Sequence, residues 1–86
     1  MAKVEIYTKS SCGFCVRAKR LLDMKKVAYD ETPIDRGGEP RAEMLQRAGG
    51  RSTVPQIFIG GQHIGGCDDL MALEYDGKLD AMLAVQ

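Results

Sequence analysis

The most constraining feature of this chain is a change of period near its start. Val4-Glu5-Ile6-Tyr7 alternates and is rich in β-favouring residues, so it reads as a strand. From Gly13 to Lys26 the apolar residues fall at helical spacing instead. Cys15, Ala18 and Leu22 make one stripe with Leu21 beside it, while Arg17, Lys19 and Arg20 point elsewhere. Val27 to Ile34 then reads as a second strand, with Pro33 limiting its end. Strand, helix and strand in that order demand parallel pairing with a right-handed crossover. With 86 residues the chain has room for one compact domain, taken as 1–86.

The remainder completes a sheet. Gly37-Gly38 breaks the chain, Pro40 suits the first turn of a helix, and Met44, Leu45 and Ala48 supply its apolar stripe until Gly49-Gly50 stops it. Gln56-Ile57-Phe58-Ile59 reads as a strand, Gly60-Gly61 as a tight turn, and Gln62-His63-Ile64 as the returning hairpin partner. Asp68 and Asp69 sit in the first turn of a helix, where its dipole favours acids, and Leu70 and Leu73 are its inward positions. Gly77 ends that helix, and Leu79, Met82 and Leu83 suggest a last short one. The fold class is therefore α/β: a four-stranded mixed sheet with helices on both faces.

Charge excludes some partners. Twelve Lys/Arg balance twelve Asp/Glu, so no net field draws the molecule to nucleic acid or to a membrane surface. Residues 1–29 carry seven of the basic residues against Glu5 and Asp23, so a mild positive bias surrounds the first two cysteines through Lys9, Arg17, Lys19 and Arg20. No apolar run spans a bilayer and no signal-peptide core follows Met1, which predicts a cytoplasmic protein. Three cysteines are too few, and odd in number, for a disulfide framework.

Cys12-Gly13-Phe14-Cys15 opens a helix, and that position suits redox chemistry. Cys12 lies near unpaired backbone N–H groups, which favour its thiolate. Cys15 lies one turn on, within disulfide reach and on the apolar stripe, so it is the more shielded thiol. An exposed thiolate beside a shielded thiol is what a nucleophile and a resolving partner need for disulfide exchange. A buried structural pair is the plain alternative. Zinc is the other: Cys12, Cys15, His63 and Cys67 number four, although His-x3-Cys is not a recurrent zinc spacing, and no metal is expected.

Taken with Thr53-Val54-Pro55 and Gly65-Gly66-Cys67-Asp68-Asp69, this motif resembles the glutaredoxins over nearly the whole chain, closest to short bacterial dithiol members. The resemblance implies a thioredoxin-like fold and an enzyme, a glutathione-dependent disulfide oxidoreductase. It would act on protein disulfides and glutathione mixed disulfides, with Cys12 as nucleophile and Cys15 as resolving thiol. It also implies a monomer whose partners are glutathione and disulfide-bearing or glutathionylated proteins, ribonucleotide reductase among the family's possibilities.

The other motifs carry glutathione binding in that family. Pro55 holds Val54 extended. As a cis-proline, as in the family, it would expose the Val54 backbone to pair with the glutathione peptide. Gly66 and the N–H groups of Cys67 and Asp68 open a helix suited to the γ-glutamyl carboxylate, with Asp68 meeting the ammonium; Asp68 and Asp69 equally suit helix caps, one capping while the other binds. Lys9, Phe14 and Thr53 complete the implied site. Cys67 is either a further reactive thiol or a small buried residue, the latter favoured.

The chain departs from the usual dithiol motif, which places proline and tyrosine between its cysteines. Cys12-Gly13-Phe14 is similar to the family's monothiol branch, Cys-Gly-Phe-Ser, whose members share a [2Fe–2S] cluster between two protomers. In that second reading Cys12 is the protein ligand, and two glutathiones complete the thiolates.

Overall fold

The computed structural model describes residues 1–85. Its elements are β1 (Val4–Thr8), α1 (Gly13–Met24), β2 (Asp30–Pro33), α2 (Gly38–Arg47), β3 (Gln56–Ile59), β4 (Gln62–Gly65), α3 (Cys67–Tyr75) and α4 (Leu79–Ala84). The strands form one mixed sheet in the order β2-β1-β3-β4. β1 pairs parallel with β2 and antiparallel with β3, and β3 pairs antiparallel with β4.

Alternation along the two central strands divides the core. Val4, Ile6, Ile57 and Ile59 pack with Ala18 and Leu22 of α1, Leu70 of α3 and Leu79 of α4. Tyr7 and Phe58 point to the opposite face, where they meet Met44 and Ala48. Helices thus cover both faces, as the sequence predicts for this thioredoxin-like α/β fold. A fully buried Leu or Ile contributes about 1.5–3 kcal/mol. The α1–α3–α4 side, with the larger apolar set, therefore supplies most of the burial.

The second strand is shorter than the apolar pattern predicts. Residues 27–29 stay outside the ladder, because Lys26 adopts φ 59° and turns the chain sharply after α1, which itself ends at Met24 rather than Lys26. Val27 donates its N–H to the Leu22 carbonyl at 3.2 Å and buries its side chain in the core. Pairing begins only at Asp30, opposite Glu5. Ile34 is buried just past the ladder, its N–H donating to the Thr8 carbonyl at 2.8 Å. Both ends are apolar for burial and not for pairing.

Helix α2 buries Met44 alone, so polar contacts do more to fix it. Arg47 forks onto Glu5 of β1, with Nη1 and Nη2 at 2.9 and 3.0 Å from its two carboxylate oxygens. It also donates to the Tyr7 hydroxyl at 2.9 Å and lies over the Phe58 ring, 4.0 Å from its centroid. Tyr7 in turn donates to Glu43 at 2.7 Å. The Arg47 hydrogen bond is the main reason the Glu5 carboxyl sits below its usual range, with burial opposing. That lowering stabilises the fold above the unfolded value and is lost as pH falls through the folded one. Arg47→Met is therefore expected to cost about 2 kcal/mol at neutral pH. The gap from wild type should narrow below the usual Glu value of 4.5. Denaturant titrations at both ends of that range check this; an equal gap at both would refute it.

No helix among the described residues is long and apolar enough to cross a membrane.

Candidate active site

The loop after β1 delivers Cys12 to the N-cap of α1 in an extended conformation, φ −128° and ψ 104°. Its sulfur accepts the Cys15 N–H at 3.0 Å, and the first turn of α1 contains no acid to oppose a negative sulfur. Once reduced, a thiolate here faces one of the helix's otherwise unpartnered donors. Cys12 and Cys15 are joined as a disulfide, their Cα atoms 5.2 Å apart. Cys15 is 1% exposed, on the buried stripe with Ala18, Leu21 and Leu22, whereas Cys12 is only partly buried. A substrate can therefore reach Cys12 and not Cys15.

The Val54–Pro55 bond is cis. The Val54 carbonyl oxygen lies 3.7 Å from Cys12 Sγ, which brings the loop before β3 against the cysteine pair. Beside it opens a cavity of about 240 Å³. Its walls are Phe14 from α1, Thr53, Val54 and Pro55 from the loop, and Gly66, Cys67 and Asp68 from the start of α3. Segments some forty and fifty residues apart thus converge. Phe14 is 55% exposed and offers an apolar ring at the rim. The Cys67 thiol belongs to the core, 3% exposed, and burial pushes it up from its usual range, as expected of a small buried residue.

Lys9 lies apart from that cavity. It lines a neighbouring cleft that both cysteines also border. There Thr8 and Lys19 both donate to Glu31, at 2.7 and 3.0 Å, and the Ser10 hydroxyl donates to Asp35 at 2.6 Å. The Thr8 hydroxyl first, and Lys19 less strongly, hold the Glu31 carboxyl low, and Ser10 does the same for Asp35.

The two acids at the start of α3 divide their tasks. Asp69 accepts the Gly66 N–H at 2.8 Å and caps the helix, while Asp68 stays exposed on the cavity wall. The Gly66 N–H is the main cause of a lowered Asp69 carboxyl, helped by Arg51, whose Nη1 lies 3.3 Å from it. Arg51 and Asp69 both line the cavity and were not anticipated there. In the sequence Asp69 is one of two acids sharing a capping role, and Arg51 carries no local signal for the site. The glycine pair also divides. A Cβ at Gly65, where φ is +118°, would collide with Asp69 and come 2.7 Å from Arg51, whereas at Gly66 it would meet nothing nearer than 3.5 Å. At Gly13 a Cβ meets nothing within 4 Å, so space does not demand the missing proline's replacement by glycine.

The four residues of the zinc alternative, Cys12, Cys15, His63 and Cys67, do not converge. Among the described residues no three His, Cys, Asp or Glu side chains gather as a metal would need. His63 instead bonds Gln56, with Nε2 2.7 Å from Oε1.

A family model described as Glutaredoxin matches residues 4–64. Glutaredoxin 3 of Escherichia coli K12 is 59% identical over 83 residues, covering 96% of this chain and 99% of that protein. The solution structure of glutaredoxin from Brucella melitensis is 53% identical with a TM-score of 0.82, covering 96% of this chain and 89% of that one. The crystal structure of a buckwheat glutaredoxin–glutathione complex is 40% identical with a TM-score of 0.85, covering 95% of this chain and 76% of that one.

Proposed function

We propose that this chain, which belongs to the glutaredoxin family and is a thiol–disulfide oxidoreductase, draws its electrons from glutathione. One observation carries the reading: Phe14, Thr53-Val54-Pro55 and Gly66-Cys67-Asp68 line a single cavity, whose Val54 carbonyl lies 3.7 Å from Cys12 Sγ. The buckwheat relative, described as a complex with glutathione, supports it. Glutathione would lie extended along Val54 like an added strand. Its γ-glutamyl carboxylate would meet the N–H groups at the start of α3, and its ammonium Asp68. Lys9, from the neighbouring cleft, would favour the thiolate and the glycine carboxylate.

The reaction then proceeds by two exchanges. The Cys12 thiolate attacks the glutathione sulfur of a mixed disulfide, the S–S bond breaks, and the substrate leaves as a thiolate. A second glutathione thiolate attacks the Cys12–glutathione bond, releasing oxidised glutathione and regenerating the Cys12 thiolate. For a protein disulfide, Cys15 loses its proton and attacks the mixed disulfide on Cys12, closing the Cys12–Cys15 bond. A reducing, glutathione-rich compartment such as the cytoplasm is the setting this cycle requires, and the fold acts as a monomer.

The test is turnover of the mixed disulfide of cysteine and glutathione, followed with and without added glutathione. Turnover that saturates with the mixed disulfide and needs glutathione is expected. Equal rates with and without glutathione, or none with it, would overturn the proposal.

A further inference from the structure

We infer that Gln56 and His63 are positioning residues that hold the Thr53–Val54 loop in its binding conformation, acting on it through one hydrogen-bonded chain. The inference deepens the proposed glutathione site and rests on that reading for its effect on catalysis.

The loop needs an outside anchor. Residues 52–55 belong to no helix or ladder, and among the described residues they make no backbone–backbone hydrogen bond. Gln56, the first residue of β3, supplies one. Its side chain is fully buried, so an unpaired amide there would be costly. Nε2 donates to the Thr53 carbonyl at 3.0 Å and lies 3.2 Å from the Thr53 hydroxyl oxygen. A carbonyl only accepts, so the amide nitrogen must face Thr53 and its oxygen must face away.

That orientation decides the state of His63. Oε1 of Gln56 lies 2.7 Å from His63 Nε2, and two acceptors cannot sit at that distance, so Nε2 bears a proton. The imidazole is held in place by Phe58, with ring centroids 5.0 Å apart and planes tilted by 31°. The chain of contacts therefore runs from the ring, through the Gln56 amide, to the carbonyl of Thr53. The next carbonyl, that of Val54, lies 3.7 Å from Cys12 Sγ. Removing the amide frees the loop. Removing the ring lets the amide rotate and weakens the same anchor.

Gln56→Met keeps length and removes both functions of the amide; His63→Phe keeps the ring stack and removes the donor. KM for the cysteine–glutathione mixed disulfide is expected to rise about tenfold in Gln56→Met and about threefold in His63→Phe, with kcat unchanged. The double variant should match Gln56→Met alone, because the two act in series. Backbone amide order parameters at Thr53 and Val54 should fall in both single variants. Folded variants with wild-type KM and wild-type order parameters would overturn the inference. So would a fall in kcat at constant KM, or effects that multiply in the double variant. If the wild type shows no glutathione-dependent turnover, the proposed function fails while lowered loop order parameters in the variants still uphold the positioning role. If Gln56→Met does not fold, His63→Phe decides by the same measurements, since His63 is only partly buried.

Discussion

Cys12→Ser is expected to lower glutathione-dependent turnover of a small mixed disulfide by at least ~1000-fold, whereas Cys15→Ser should retain most of it. The two cysteines differ in what surrounds them. Cys12 borders the cleft beside the cavity, and its Sγ faces the Cys15 N–H and lies 3.7 Å from the Val54 carbonyl. A serine oxygen at that place is a far weaker nucleophile, because its proton is not lost near neutral pH. Cys15 is 1% exposed and can attack only a sulfur already joined to Cys12. In the proposed cycle glutathione replaces it when the substrate is small. A protein disulfide needs it, so Cys15→Ser should fail with such a substrate and accumulate a mixed disulfide on Cys12. Mass spectrometry of the trapped adduct checks the assignment. An active Cys12→Ser variant, or a Cys15→Ser variant that loses both activities alike, would reverse the roles.

Gly65→Ala is expected to destabilise the fold by about 3 kcal/mol, whereas Gly66→Ala should cost less than about 1 kcal/mol. At Gly65 the backbone has φ +118°, a region that side chains rarely adopt, and the new Cβ would collide with Asp69. Asp69 is the cap of α3 through Gly66, so moving it also releases that helix start and its partner Arg51. At Gly66 φ is −92° and the nearest neighbour of a Cβ is the Pro55 carbonyl at an ordinary 3.5 Å. For a domain of this size the first change lowers the thermal midpoint by roughly 12–24 °C. Calorimetry on both variants tests the contrast; equal losses would show that flexibility of the pair, and not the close approach at Gly65, is what matters.

Local chemistry in the sequence determined much of this protein. The alternation in Val4–Tyr7 and the stripe through Cys15, Ala18 and Leu22 specify β1 and α1, because side-chain period is a property of each element by itself. Cys12 at the start of α1 is legible for the same reason: strand, short loop and helix are neighbours in the chain. The grouping of Phe14 with Thr53-Val54-Pro55 and Gly66-Cys67-Asp68 was legible only through the resemblance to glutaredoxins. The tertiary structure decided what depends on approach between distant segments. Pairing with β1 set where β2 begins, so Val27 proved apolar for burial alone. Lys9 went to a separate cleft that both cysteines border. Arg51, Asp69, Gln56 and His63 acquired their partners from elements apart in sequence, and single-residue patterns carry no record of such pairs. A hydrogen bond across the fold depends on two positions at once, while periodicity and capping report on one stretch of chain at a time.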